Sequence, residues 1–125
     1  MKRDLNLIRN IMLRIEASDK TSFTASDFID LCDNENTLYY NIHLMYQAGF
    51  IDAFDISCCG FVLPQYQIQW LSNLGCEYLD SVRNDSVWSK TKTVLKSVGG
   101  NASFEVVKDI SSRFLMEFLE SQLPT

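Results

Sequence analysis

One stretch of near-strict alternation, residues 61–70, constrains the fold of this chain more than any other feature. Phe61, Leu63, Gln65, Gln67 and Gln69 alternate with Val62, Tyr66, Ile68 and Trp70, which sets a mostly polar row against a mostly apolar one. A period of two belongs to a half-buried strand. Pro64 interrupts it and lacks a backbone donor, so the strand is expected at an edge or bulged there. Residues 50–57 read as its partner, joined to it around Cys58-Cys59-Gly60.

Every other apolar segment repeats at helical spacing. Leu5, Ile8, Met12 and Ile15 fall on one face of a helix over residues 3–17, widened by Leu7 and Ile11. Thr24-Ala25-Ser26-Asp27 has the form of a capping box, and a short helix with Phe28, Ile29 and Leu31 follows it. Asn34 or Asn36 is placed to cap a third helix reaching Ala48, with Leu38, Ile42 and Met45 inward, Tyr39 and Tyr46 on the flanks, and Gly49 as its left-handed stop. After the hairpin, Ser72 precedes a helix of about residues 73–83 with Leu74, Tyr78, Leu79 and Val82 inward. Asp85 or Ser86 is expected to cap a helix ending at Gly99-Gly100, and Ser103 a last one with Val107, Ile110, Phe114, Leu115, Phe118 and Leu119 on its apolar face.

Three helices, a hairpin and three more helices make a mainly α, α+β chain: a winged helix-turn-helix with a two-stranded wing and a C-terminal helical extension. The expected division is a winged-helix domain over residues 1–82 and a two-helix extension over 83–125, packed on that domain or on a second copy. Leu5, Ile8, Met12, Leu38, Ile42, Met45, Leu74, Leu79, Trp88, Leu95, Ile110 and Phe114 are expected in the core, with Trp70 and Trp88 as aromatic anchors.

Charge argues against the usual work of such a fold. Residues 21–82 contain eight acids and no lysine or arginine, whereas residues 1–20 hold five bases and residues 83–125 hold six. DNA affinity rests largely on cations that neutralise phosphates. In a winged helix the third helix lies in the major groove and the hairpin touches the backbone; here both lie in the stretch without cations. The outward face of helix 35–48 is expected to offer Asn36, Tyr40, Asn41, His43 and Gln47, among which Asn and Gln suit adenine edges. Arg83, Lys90, Lys92 and Lys96 form the one candidate basic patch, and a solvated helix face is the plainer account of it.

No Gly-rich phosphate loop, nucleophile elbow or metal-ligand cluster is present, and His43 is the sole histidine. No catalytic residue, metal, cofactor or small-molecule substrate is therefore expected. Cys32, Cys58, Cys59 and Cys76 read as thiols of a reducing, cytosolic compartment, the adjacent pair Cys58-Cys59 as turn residues; a redox pair is the alternative. Met1-Lys2-Arg3-Asp4 leads into no apolar core of a signal peptide, and no apolar run reaches membrane-spanning length.

Four stretches carry a family resemblance: KRDLNLIRNIMLRIE at 2–16, YYNIHLMYQAGFIDA at 39–53, LGCEYLDSVRNDSVWSKTK at 74–92 and GGNASFEVVKDI at 99–110. They resemble an uncharacterised bacterial and prophage family, the domain-of-unknown-function family 2513. The resemblance implies a winged helix with a helical tail, usually phage-associated, and no assigned activity. This chain departs from the family's pattern at Asn41 and Cys76, where histidines are common, and at Asn73-Leu74, where a tryptophan is replaced. The reading that follows is a non-catalytic regulatory or adaptor module that binds a protein partner or its own copy. The alternative is a DNA-binding transcriptional regulator reading DNA with helix 35–48.

Overall fold

The computed structural model of the chain describes residues 1–124. Helix α1 spans Leu5–Ala17, a 3-10 helix Ala25–Leu31, α2 Glu35–Gln47, β1 Ile51–Asp55, β2 Tyr66–Leu71, α3 Asn73–Val82, α4 Asp85–Leu95 with a 3-10 turn Lys96–Val98, and α5 Phe104–Gln122. The fold is mainly helical with one antiparallel hairpin, the element order of a winged helix with a two-stranded wing. Chain contacts divide it into two compact units, Met1–Cys76 and Glu77–Thr125, so the division falls inside α3 rather than after it. The second half of α3 groups with α5 because Tyr78 meets Phe104 edge-on at 5.4 Å between ring centres and Glu77 pairs with Lys108 at 3.7 Å.

In the first unit each helix begins on a side-chain acceptor. Asp4 accepts from Leu7 N–H at 3.0 Å, and Asn34 accepts from both Asn36 N–H and Thr37 N–H. Asp27 reaches back to Thr24 N–H at 2.8 Å, the reciprocal half of a capping box. Arg14 ties α1 to the 3-10 helix through Asp30 at 2.6 Å and the Asp27 carbonyl. The core is the convergence of apolar stripes that the periodicity marks: Ile8, Ile11 and Met12 of α1, Phe28, Leu38 and Met45, and Ile68 of the wing are fully or almost fully buried.

Gly49 adopts φ +76°, the left-handed conformation in which a helix ends on glycine at no steric cost. Phe50 and Ile51 are thereby turned inward. Ser72 then starts α3: its hydroxyl donates to the Gly49 carbonyl and accepts from Gly75 N–H. Gly75 lies so close to Phe50 that a Cβ there would sit 2.0 Å from the Phe50 carbonyl oxygen. Leu74, expected inward, is therefore 55% exposed; the bare glycine face of α3, not the leucine, meets the chain at Phe50.

The wing holds the second departure. Its regular pairing covers residues 51–55 and 66–71, and the loop 56–65 contains the part of the alternating stretch around Pro64. Phe23 adds a one-residue antiparallel bridge to Ile68, donating and accepting at 2.8 Å. Opposite β1, the register steps from Trp70 to Ile68 while β1 advances from Asp52 to Ala53. This bulge inserts one residue, Gln69, and shifts the phase of the strand. Tyr66 and Ile68 stay buried, but Trp70 swings to the outer face and is 48% exposed, so it is not a core anchor.

In the second unit Asn84, rather than Asp85 or Ser86, caps α4 by accepting from Val87 N–H at 3.0 Å, and Ser103 caps α5. Val87, Trp88, Leu95 and Val107 are buried between α4 and α5, and a polar contact lies among them: Thr91 bonds the Val87 carbonyl at 2.9 Å and the Ser111 hydroxyl at 3.0 Å, both residues fully enclosed. Ile110 and Phe114, expected in the core, are only half-buried. No helix among the described residues is long and apolar enough to cross a membrane.

Candidate functional site

The outer face of α2 is less available than its sequence suggests. Asn41 is 0% exposed and does not face outward. Its carboxamide oxygen accepts from Asp4 N–H at 2.7 Å, and its nitrogen donates to the carbonyls of Thr37 at 2.8 Å and Lys2 at 3.3 Å. The reason is geometric: the segment before α1 crosses α2 here, and an amide carries an acceptor and two donor hydrogens on one short side chain, enough to serve the Asp4 N–H and two carbonyls together. Asn41 is thus a strap on the N-terminus, not a base reader.

His43 is also engaged. Its Nδ1 lies 2.6 Å from the Tyr66 hydroxyl, in a hydrogen bond that joins α2 to β2. Tyr66 is sandwiched by neighbours, its ring 4.3 Å from that of Tyr46 and 5.8 Å from that of His43. Burial holds the Tyr66 phenol above its ordinary titration range, and the charge of Asp55 adds to this. Asp55 itself is held below the usual carboxylate range, first by the Ser57 hydroxyl and then by the Ser57 N–H. Asn36 and Gln47 are exposed, and Tyr40 is half-buried. Two exposed polar side chains at the two ends of α2 make no continuous reading face.

The basic candidates lie in the second unit. Arg83 pairs with Asp80 at 2.8 Å. Lys90, Lys92 and Lys96 are exposed on α4 and its 3-10 extension, Lys92 lying 5.9 Å from the Trp88 ring centre. Among the described residues no group of three His, Cys, Asp or Glu side chains is arranged to hold a metal ion. All four cysteines are free thiols; Cys58 and Cys59 are exposed on the wing loop, and Cys32 donates to the Asn34 carbonyl at 3.3 Å.

The most pronounced surface feature is one that the alternation misassigned. Asp52 lies directly opposite Trp70, so the two share a face, and the indole N–H donates to the Asp52 carboxylate at 2.9 Å. Phe54, two residues along β1, is on the same face and 57% exposed. Ile56 and Phe61 are also exposed, and Val62 is 90% exposed at the loop. The wing therefore presents aromatic and aliphatic groups to solvent, with Asp52 on the same face and Asp55 on the other, beside Tyr66. The bulge, which no periodicity reveals, makes this surface; the run of apolar residues through a loop was its one visible signal.

Comparison with known proteins finds similarity to proteins described only as hypothetical or uncharacterized. The profile of the family described as hypothetical protein (DUF2513) matches residues 2–101, which leaves α5 outside it. The chain is 33% identical over 121 residues to an uncharacterized protein of Haemophilus influenzae, an alignment that covers 95% of this chain and 99% of that protein. No solved structure matches the chain. With a profile over most of its length and a full-length relative, the chain belongs to the family of hypothetical proteins designated DUF2513.

Proposed function

We propose that this chain is a non-catalytic winged-helix module, a regulator or adaptor that works through protein contacts in a reducing compartment, with the wing rather than α2 as its contact surface. The observation that carries the reading is the fate of α2: Asn41 is consumed by three internal hydrogen bonds and His43 by Tyr66. The charge distribution supports it, since residues 21–82 supply no cation for a phosphate. So does the wing, whose exposed Trp70 and Phe54 have the aromatic character of interface anchors with a polar rim. On this reading residues 83–125 are a helical extension that aids association.

Fluorescence anisotropy with a labelled nonspecific duplex at low salt tests the proposal. The expected result is no binding at micromolar protein. Micromolar binding that weakens steeply with added salt would return α2 and the lysines to a DNA-reading role.

A further inference from the structure

The loop 56–65, which joins β1 to β2, carries no acid and no base. Cys58 and Cys59 stand side by side in it, both exposed and both free thiols. They open a tight turn: Phe61 N–H donates to the Cys58 carbonyl at 3.2 Å, and Gly60, third of the four residues, has φ +99°. A positive φ at that position is the type II pattern, which puts the conformational demand on glycine and leaves the cysteines on ordinary backbone. The surroundings are open and apolar. Nothing lies within 4 Å of a Cβ built on Gly60, and the flanking Ile56, Phe61 and Val62 are exposed.

The donor set decides what such a pair can hold. Structural zinc takes four ligands, and among the described residues no group of three His, Cys, Asp or Glu side chains is arranged for a metal ion. A loop without carboxylates offers a hard, oxygen-seeking cation nothing. Two thiols with an apolar rim suit a neutral, soft centre that needs only two protein sulfurs and brings an organic group of its own. We infer that Cys58 and Cys59 are a capture site for monosubstituted trivalent arsenicals, R–As(OH)2 in water, with the group R among the exposed side chains of Phe61 and Val62. Pyramidal arsenic holds its two sulfurs side by side, as the single peptide unit between these cysteines requires.

Each thiol displaces one hydroxyl. Two S–H and two As–O bonds break, two As–S bonds form, and the thiol hydrogens leave with the hydroxyls as two molecules of water. Arsenic stays trivalent, so no oxidant or reductant takes part. The ring that closes is one atom wider than a disulfide between the same residues, which removes the strained direct S–S contact of an adjacent pair. The second As–S bond forms within one molecule, at an effective concentration that a single thiol does not have. Cys32 and Cys76 are single, half-buried thiols without such a neighbour in the chain. The site stands whether or not the wing also binds a protein.

Phenylarsine oxide, which hydrates to the phenyl member of this class, is the probe. The reduced full chain is mixed with it in deoxygenated buffer holding an excess of the monothiol 2-mercaptoethanol, then desalted and read by intact mass and thiol titration. Wild type should gain one phenylarsenic group less two hydrogens, lose two titratable thiols, and give the group up to the dithiol 2,3-dimercaptopropanol. Cys58→Ser and Cys59→Ser lie on an exposed loop, and circular dichroism checks their fold. Each should weaken retention by about a hundredfold, the scale of a lost second attachment. Peptide mapping of the wild-type adduct should place the arsenic on Cys58 and Cys59, with Cys32 and Cys76 still free. An unmodified wild type would overturn the inference, as would an adduct that survives either replacement or maps to Cys32 or Cys76.

Discussion

Replacing Asn41 by leucine is the sharpest probe of how this fold uses its polar residues. The substitution nearly conserves volume, so the cost comes from hydrogen bonds rather than a cavity. Three bonds disappear. The Thr37 carbonyl also serves the helix ladder of α2, so its loss counts little. The Lys2 carbonyl belongs to an exposed residue at a long 3.3 Å, and water replaces the amide there. What remains is the Asp4 N–H, bonded at 2.7 Å in a partly buried position and left without a partner. An orphaned donor of that kind costs about 1–3 kcal/mol. A central value of about 2 kcal/mol corresponds to a fall in Tm of roughly 6–10 °C for a domain of this size. The Asp4 side chain caps α1, so amide exchange should quicken first in the opening turn of that helix. Chemical denaturation of N41L beside wild type, with exchange read residue by residue, measures both effects. A variant within about 0.5 kcal/mol of wild type, the ordinary range of surface substitutions, with unchanged exchange at Leu5–Ile8, would show that the strap is idle and that Asn41 is retained for some external contact.

Gly75→Ala drives a methyl into the Phe50 carbonyl at 2.0 Å, where backbone faces backbone; a loss of about 3 kcal/mol or more, or failure to fold, is expected in thermal melts. Thr91→Val deprives Ser111 of its buried partner, and a loss of about 1–2 kcal/mol should appear in urea unfolding. Asp27 titrates below its ordinary value of 3.8, chiefly through the Thr24 N–H and then Lys20. A lowered folded pKa means that its contribution is complete above that value and is lost as pH falls through the lower folded value. Asp27→Asn should therefore cost up to about 1 kcal/mol at neutral pH, on the scale of a helix cap, and the gap between variant and wild type should close in acid.

Much of the architecture was legible because caps and stripes are local. Asp27 stands three residues after Thr24, Gly49 follows the last turn of α2, and Ser72 and Ser103 precede helices, each for a reason carried by a few neighbouring atoms. The order of helices and hairpin followed from these marks. Non-local geometry was not legible. Leu74 has the spacing of an inward residue, yet the approach of Phe50 to Gly75 reserves that side of α3 for a residue without a side chain. Asn41 sits one residue before Ile42 at the edge of the apolar stripe, and only the path of residues 2–4 across α2 turns it from a reader into a strap. The candidate surface suffered most. His43 was visible as a lone histidine but its tie to Tyr66 spans 23 residues, and Trp70 was assigned to the wrong side by a rule that assumes unbroken alternation.

The bulge at Gln69 gives length, rather than residue type, control over what the wing shows the outside world. Inserting one residue between Asp52 and Ala53 would give Gln69 a partner, restore strict parity, fold the indole of Trp70 toward the interior and leave Leu71 facing water. Among relatives, a one-codon insertion at that point of β1 would withdraw the indole from the exterior in a single step, with no side chain substituted.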